Sequence, residues 1–324
     1  MRSRLIKIIS GLVAFSAVYA TDVSGTISSN TTWSLANSPY VVTGNILVAS
    51  GVTLTIEAGV TVKFDGSYYF YVDGTLIARG NSGSLITFTS NQSSPQKGDW
   101  KYIKFRDSAT DASFSGGSYS SGSIMEYCVV EYGDNNRDDG TNEYYTGMVW
   151  CYKSAPLIKN STIRKSYGNG LGFTNASGAD SLVVLNCTIT DNNSIGLTFY
   201  QSSSKVIVRN CTLTNDNLYI HWARGSIENC TFDNSDIWIH GAYMNSTREY
   251  IRSCIIKNGT LKLSNNSGYY TITESKFIDN SGDYTKGANL TKDQISFLEK
   301  SMKINVSDYP DLLEIEKIFK AYKF

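Results

Sequence analysis

The region from Leu182 to Asn280 contains five copies of one short pattern, and this repetition constrains the fold more than any other feature of the chain. The copies read VLNCTIT, VRNCTLT, SIENCTFD, YIRSCIIK and ITESKFID. One anchor position recurs at steps of 24, 19, 24 and 21 residues and is occupied in turn by Cys187, Cys211, Cys230, Cys254 and Ser275. A period of about 20 residues with β-rich units predicts a solenoid whose coils stack on one another.

The first 20 residues have the organisation of a secretory signal peptide. Arg2, Arg4 and Lys7 precede an apolar run over residues 8–18, and Val18-Tyr19-Ala20 resembles a cleavage site with small residues. We therefore expect removal of residues 1–20 and a mature chain that is secreted, extracellular or on the cell surface, or in a periplasm. No later stretch approaches the roughly 18 apolar residues of a spanning helix, so the mature chain is predicted to lack a transmembrane segment.

Charge and composition exclude some classes of partner. The chain has 29 basic and 29 acidic residues, and without its first 20 residues, which hold three basic and no acidic ones, 26 basic residues face 29 acidic ones. This balance does not indicate binding to nucleic acid or to an anionic membrane. The 27 Gly and 22 Tyr with only four Pro are typical of a β-rich chain with many tight turns.

Residues 40–64 alternate between apolar and polar side chains, as a strand with one buried face does. Glycines at 44, 51 and 59 mark the turns. The apolar residues predicted to point inward are Ile46, Val48, Val52, Leu54, Ile56, Val60, Val62 and Phe64.

Four segments of this N-terminal half carry a family resemblance: Gly51–Phe64 (GVTLTIEAGVTVKF), Gly74–Gly80 (GTLIARG), Ile86–Ser90 (ITFTS) and Gly98–Phe105 (GDWKYIKF). Their sequences resemble the N-terminal part of the secreted right-handed parallel β-helix proteins, the pectin-lyase-like superfamily, with Ala58 where proline is usual. The later N-C-T repeats extend the resemblance to residues 40–282. It implies an all-β, right-handed parallel β-helix of about ten coils, and it says little about activity because this fold hosts many functions.

The chain divides into a predicted β-helix over residues 21–288 and a helical region over residues 289–324. Two segments of the β-helix, 107–123 and 133–147, interrupt the sequence repeat and are predicted to leave the stack as loops. In the C-terminal region, a capping-box pattern at Thr291 and a stripe of apolar residues after Pro310 predict amphipathic helices. We expect them to cap or buttress the end of the stack; the alternative is a helix that docks a partner.

The spacing of the six cysteines is better explained by the repeat than by a disulfide framework. Cys128 fits the anchor pattern, and Cys151 does not. Equivalent residues of stacked coils lie about 4.8 Å apart with parallel Cβ vectors, which favours a file of free, buried thiols. At least one disulfide within this file remains the alternative.

Asparagine precedes the anchor in four units, at Asn160, Asn186, Asn210 and Asn229. Asn tolerates left-handed backbone, and its amide can hydrogen-bond the amide of the next coil, so these residues predict an asparagine ladder. The alternative is N-glycosylation, because the same positions match or approximate the sequon.

The strand that follows each anchor loop predicts a binding face. The aligned quartets are 171–174 (LGFT), 197–200 (LTFY), 218–221 (LYIH), 237–240 (IWIH) and 261–264 (LKLS). Their first and third residues should face the core, and their second and fourth should face outward. The two outward files are Gly172, Thr198, Tyr219, Trp238 and Lys262, and Thr174, Tyr200, His221, His240 and Ser264.

An outward strip of aromatic and imidazole rings on a rigid sheet suits stacking against sugar rings. The predicted substrate-binding residues are Tyr200, Tyr219, His221, Trp238, His240 and Lys262, and the predicted partner is a polysaccharide or a cell-surface glycan. Two alternatives remain open: these residues pack under the C-terminal helices, or they form ordinary surface.

A second candidate site is the acidic loop with Asp134, Asp138, Asp139 and Glu143, whose oxygen atoms could bind Ca²⁺. Its spacing matches no strict calcium motif, so a solvated acidic loop is the alternative. No other cofactor is implied.

Catalytic residues cannot be assigned from the sequence. The motifs of polygalacturonase-like enzymes (NTD, GHG, RIK), of alginate epimerases (DPHD) and of pectate lyases (WIDH, RxPxxR) do not occur in this chain. We therefore expect non-enzymatic recognition of a glycan or another macromolecule through the outward strip. The alternatives are a polysaccharide lyase or glycoside hydrolase that uses the same sheet, and a structural or adhesin-like module.

Overall fold

The computed structural model describes residues 20–133, 146–240, 249–263, 270–273 and 275–278. In these residues the chain forms long parallel β-sheets, one small hairpin and a single 3-10 helix at Leu35–Asn37. Within the described residues, successive coils pass through three stacks of parallel strands. We name the stacks sheet 1, sheet 2 and sheet 3, in the order in which a coil passes through them.

Sheet 1 has ten strands in the described part of the chain: Thr31–Trp33, Thr53–Ile56, Thr75–Arg79, Ile124–Glu126, Leu157–Lys159, Ser181–Leu185, Lys205–Arg209, Arg224–Glu228, Glu249–Arg252 and Tyr270–Thr273. The strands of sheet 2 are Thr61–Phe64, Ile86–Ser90, Cys128–Glu131, Thr162–Arg164, Thr188–Thr190, Thr212–Thr214, Thr231–Asp233, Ile255–Lys257 and Lys276–Ile278. Those of sheet 3 are Phe70–Val72, Ile103–Phe105, Val149–Tyr152, Leu171–Thr174, Ile195–Tyr200, Asn217–His221, Ile237–His240 and Leu261–Leu263. The long strands Thr21–Ile27 and Tyr40–Val48 pair with each other, and Tyr40–Val48 joins sheets 2 and 3 in the first coils.

The stack is a parallel β-helix, because the pairings between successive coils in all three sheets are parallel. Alternate side chains of each strand fill one continuous apolar core. Within this core Phe173 and Phe199 stack with ring centroids 5.1 Å apart. The inward residues predicted in segment 40–64 are buried, apart from Val52, which is partly buried and packs against the core.

The predicted asparagine ladder is confirmed at the turn between sheets 1 and 2. Asn186 donates from Nδ2 to Asn160 Oδ1 (2.8 Å), and Asn210 donates to Asn186 Oδ1 (2.9 Å). These three residues and Asn229 have φ values of 50–54°, in the left-handed region that Asn tolerates. A second ladder lies between sheets 2 and 3, where Asn234 donates to Asn215 Oδ1 at 2.8 Å.

All six cysteines are free and buried, so the prediction of free thiols is confirmed. Their packing is more polar than a file of small hydrophobes. The backbone N–H of Cys187 points at Cys211 Sγ (3.5 Å), and the Cys211 N–H points at Cys230 Sγ (3.5 Å). Cys128 and Cys254 donate in the same way to Ser161 Oγ (3.0 Å) and Ser275 Oγ (3.2 Å). Cys and Ser share the anchor position because either can accept this bond.

The predicted loop 107–123 contains an antiparallel hairpin, Ser113–Ser115 with Ser118–Ser121. Its Phe114 and Tyr119 pack on an apolar cluster outside sheet 1, formed by Ile124, Leu157 and Val183. The excursion therefore lies against the outer surface of sheet 1.

Several predictions fall outside the described residues. They are the signal peptide up to residue 19, the acidic loop with Asp134, Asp138, Asp139 and Glu143, and the helices of 289–324. In the part of the chain that the structure does describe, no helix is both long and apolar enough to cross a membrane.

Candidate functional site

The strand register brings most of the predicted binding residues together on the outward face of sheet 3. Tyr219 pairs with Trp238, His221 pairs with His240, and Tyr200 is the partner of His221 on the other side. The backbone of Lys262 continues the file beside Trp238. The alternation inferred from the quartets is therefore correct in these coils, and we call the five rings of Tyr200, Tyr219, His221, Trp238 and His240 the C-terminal cluster.

His221 is the centre of the C-terminal cluster. Its ring centroid lies 4.6 Å from that of His240, 4.9 Å from Tyr200 and 5.6 Å from Tyr219, each in an edge-on arrangement. The Tyr219 hydroxyl is 3.3 Å from His221 Nδ1, which fixes one imidazole nitrogen in a hydrogen bond. Burial of the ring, followed by the neighbouring His240, lowers the pKa of His221. The imidazole is therefore held in its neutral form at neutral pH.

The surface at this cluster is partly open. Tyr200, Tyr219, His221 and Trp238 are half-buried, and His240 is exposed. Trp238 donates from Nε1 to Asp236 Oδ2 at 3.2 Å, which orients the indole. Trp222, at the turn after this strand, is 45% exposed with its ring 5.3 Å from His221, and the quartet alignment missed it because it lies one residue beyond the quartet.

Two residues of the predicted outward files are not exposed to solvent. Thr174 and Thr198 lie in the predicted outward files, yet both are fully buried. Thr174 Oγ1 accepts a hydrogen bond from Trp150 Nε1 at 2.7 Å. Together with Gly172, these small residues separate the C-terminal cluster from a second group of rings on the same face.

The second group, which the sequence reasoning missed, lies on the first coils of sheet 3. Tyr71, Lys104 and Trp150 are register partners and continue the file of Tyr219 and Trp238. Trp150 is 1% exposed, and the Lys104 ammonium lies 3.4 Å from its ring centroid. Around them, Tyr69 stacks on Tyr71 at 3.9 Å, and the hydroxyls of Tyr71 and Tyr102 are 3.2 Å apart. We call Tyr69, Tyr71, Tyr102, Trp150 and Tyr152 the N-terminal cluster.

A cavity of about 410 Å³ opens beside the N-terminal cluster, and it is lined by Tyr71, Asp73, Lys104, Arg106, Asp107, Ser108 and Tyr152. Arg106 forms a two-pronged ion pair with Asp73, and its guanidinium lies 4.6 Å from the Tyr71 ring. The hydrogen bond to Asp73 is the largest cause of the raised pKa of Arg106. The cavity thus has aromatic walls and charges that are paired at its rim.

The strand that carries Tyr219 and His221 is preceded by a buried carboxyl group. Asp216 is 1% exposed, and its Oδ2 accepts hydrogen bonds from the backbone (3.1 Å) and side-chain (3.0 Å) nitrogens of Asn192. Its own N–H donates to Ser235 Oγ at 3.1 Å, and its Oδ1 has no partner among the described residues. Burial raises the pKa of Asp216 to about 7.

The predicted calcium ligands cannot be placed, because the acidic loop lies outside the described residues. Within the described ranges, no cluster of three or more His, Cys, Asp or Glu side chains has the geometry of a metal site. The calcium site remains a prediction.

Comparisons with known families agree with this architecture. Residues 25–147 match a family described as a pectate-lyase-like beta helix domain, and residues 177–307 match a right-handed beta helix region. With the parallel sheets, these matches show that the chain is a right-handed parallel β-helix protein, as its resemblance implied. A comparison with curated protein sequences finds no match.

Two solved structures are similar at a low level. One is PfbA, a surface adhesin of Streptococcus pneumoniae, with 11% identity, coverage of 84% of this chain and 86% of that chain, and a TM-score of 0.24. The other is QnrB1, a plasmid-mediated fluoroquinolone resistance protein, with 13% identity, coverage of 89% and 97%, and a TM-score of 0.20. Likenesses at this level carry no information about activity.

Proposed function

We propose that this β-helix protein binds a glycan, without cleaving it, through the C-terminal cluster. One observation carries the proposal: five aromatic and imidazole rings occupy three adjacent strands of one outward face and remain partly open to solvent. The proposed setting is extracellular or at a cell surface, as the N-terminal segment predicts.

The chemistry of the rings supports a sugar ligand. A ring of Trp or Tyr offers a rigid apolar face for the C–H face of a sugar, while its polar end stays available for hydrogen bonds. Neutral His221 and exposed His240 add donors and acceptors for hydroxyl groups. Because the rings stand on paired strands, they are ordered before the ligand arrives, which lowers the entropic cost of binding.

The hydrogen bonds of the carboxylate beside the cluster also favour recognition over catalysis. A glycosidase or lyase of this kind requires carboxylates or a base at set positions around the bond that breaks. The carboxylate nearest in sequence, Asp236, accepts hydrogen bonds from Trp238 Nε1 and from the Thr260 backbone. It therefore serves to orient the strand and the indole.

The test is a glycan-array screen of the full chain with and without Ca²⁺, followed by product analysis on every glycan that binds. We expect binding without new products, and an affinity at least about tenfold weaker for Trp238→Ala, as expected when a central aromatic contact is removed. The matched control is Tyr167→Ala, because Tyr167 is 60% exposed and lies outside both clusters. Shortened or unsaturated products would instead establish an enzyme. Absence of binding across the array, or an equal loss in the control, would contradict the proposal and favour a structural module.

A further inference from the structure

One tryptophan beside the C-terminal cluster differs from the others in its exposure. All five tryptophans lie within the described residues, and Trp222, at 45%, is the exposed one. The indoles of Trp100, Trp150 and Trp238 each donate from Nε1 to an acceptor of the protein. Trp222 Nε1 has no such acceptor within the described ranges. An open apolar face beside an available donor suits a ligand that offers both C–H and hydroxyl groups.

The backbone conformation of Trp222 suits a tryptophan poorly. This residue lies at a turn that follows sheet 3 and recurs on successive coils, and its N–H donates to the His240 carbonyl oxygen of the next coil (3.0 Å). The equivalent positions have φ values of 49–56° and are occupied by Lys153, Asn175, Gln201 and Trp222. Asn tolerates this left-handed region, whereas a bulky side chain there is strained. The needs of the turn therefore do not explain the indole.

The Trp222 indole extends a row of rings along the strand Asn217–His221. Its ring centroid lies 5.3 Å from that of His221, and the His221 centroid lies 5.6 Å from that of Tyr219. Both steps are close to the length of one pyranose unit in an extended glycan chain. His221 is edge-on to both rings, so an imidazole with hydrogen-bonding nitrogens separates two flat aromatic rings. The row thus alternates apolar and polar contacts at the spacing of sugar units.

We propose that Trp222 is a stacking platform for a pyranose ring, so that the glycan site continues from the C-terminal cluster over the turn that follows sheet 3. The ligand class is an uncharged chain of β-linked glucose. All hydroxyl groups and linkages of such a chain are equatorial, which leaves both faces of each ring apolar for contact with an indole. This inference rests on the proposed glycan-binding function and names the ligand of that same site.

The experiment measures binding of the full chain to cellohexaose, the β-linked glucose hexasaccharide, by isothermal titration calorimetry, together with thermal melts. Trp222→Asn should bind at least about tenfold more weakly, because an exposed aromatic contact is lost. Its melting temperature should equal or exceed that of the parent, because Asn suits the left-handed turn. Trp222→Tyr keeps an aromatic face and should restore most of the affinity.

The matched control is Lys153→Asn, which places Asn at the same turn position three coils earlier and outside the C-terminal cluster. This variant should bind cellohexaose as the parent does. Undiminished binding by Trp222→Asn, or an equal loss in Lys153→Asn, would overturn the inference. A melting temperature of Trp222→Asn well below that of Lys153→Asn would also overturn it, because the indole would then be packing against His221.

The parent chain separates failure of this inference from failure of the proposed function. Binding of other glycans on the array without binding of cellohexaose would overturn the ligand class, while the glycan-binding function would stand. Loss of cellohexaose binding in Trp238→Ala but not in Trp222→Asn would confine the site to the C-terminal cluster and overturn the role of Trp222. A parent that binds no glycan would contradict the proposed function itself, and the inference would fail with it.

Discussion

The two ring clusters on sheet 3 share one face and one register, yet their surroundings differ. In the N-terminal cluster, Trp150 is 1% exposed beneath the Lys104 ammonium, and Tyr102 is equally buried. In the C-terminal cluster, the register equivalent Trp238 is half-buried and His240 is exposed. An aromatic file on an outward face can therefore serve as packing at one end and as accessible surface at the other. Residue type and register alone do not distinguish these two uses.

The largest effect should come from Trp150→Ala. Removing a buried indole, its hydrogen bond to Thr174 and its contact with Lys104 should lower the free energy of unfolding by about 3–5 kcal/mol. Urea unfolding followed by circular dichroism measures this loss. A change below about 1 kcal/mol would mean that the N-terminal cluster is not packing, and the contrast between the clusters would fail.

The next effect concerns Asp216, which supports the strand of Tyr219 and His221. Its pKa is raised in the folded chain, so the fold holds this proton more tightly than the unfolded chain does. Stability from this group is therefore fully present below its unfolded pKa, near 4, and is lost as pH rises to about 7. Asp216→Asn mimics the neutral form and should gain stability relative to the parent as pH rises through this range, by up to about 4 kcal/mol.

The measurement is the difference in free energy of unfolding between Asp216→Asn and the parent at several pH values. Using the difference cancels the other carboxylates, including Glu126, whose lowered pKa acts in the opposite direction. A difference that is flat with pH would show that the Asp216 carboxyl titrates normally. Its strand would then be supported by hydrogen bonds alone.

The smallest stability effect should come from Trp238→Ala, the same substitution as at Trp150 in the same file. Because Trp238 is half-buried, we expect a loss of about 1 kcal/mol, together with the loss of glycan binding proposed above. Paired thermal melts of the two variants sharpen the comparison. A loss as large as that of Trp150→Ala would identify Trp238 as packing, one of the alternatives that the sequence left open.

The sequence was sufficient for the fold and for the register of the later coils. There, the recurring anchor motif and the quartet that follows it align Tyr200, His221 and His240, and the structure confirms that alignment. The N-terminal cluster was missed because segments 107–123 and 133–147 break the period between Lys104 and Trp150. Aligning the short strands YFYV, KYIKF and MVWCY on their apolar alternation would have placed these residues in the same file.

Burial was harder to predict than register. Thr174 and Thr198 occupy outward positions but are buried, and Thr174 accepts a hydrogen bond from the indole of Trp150 on the preceding coil. The sequence shows which face a side chain occupies, whereas coverage depends on the rotamers of residues on other coils. The role of the anchor thiols as hydrogen-bond acceptors is likewise visible only once the coils are stacked.

The anchor file gives the stack a direction. The backbone N–H groups of Cys128, Cys187, Cys211 and Cys254 each donate to the Sγ or Oγ of the anchor in the coil that follows in the chain. The anchor N–H of such a coil therefore has its hydrogen-bond acceptor only after the next coil has formed. If the chain is synthesised N-terminus first, we expect the stack to grow coil by coil. Each new coil then supplies the hydrogen-bond acceptor that the anchor of the previous coil lacks.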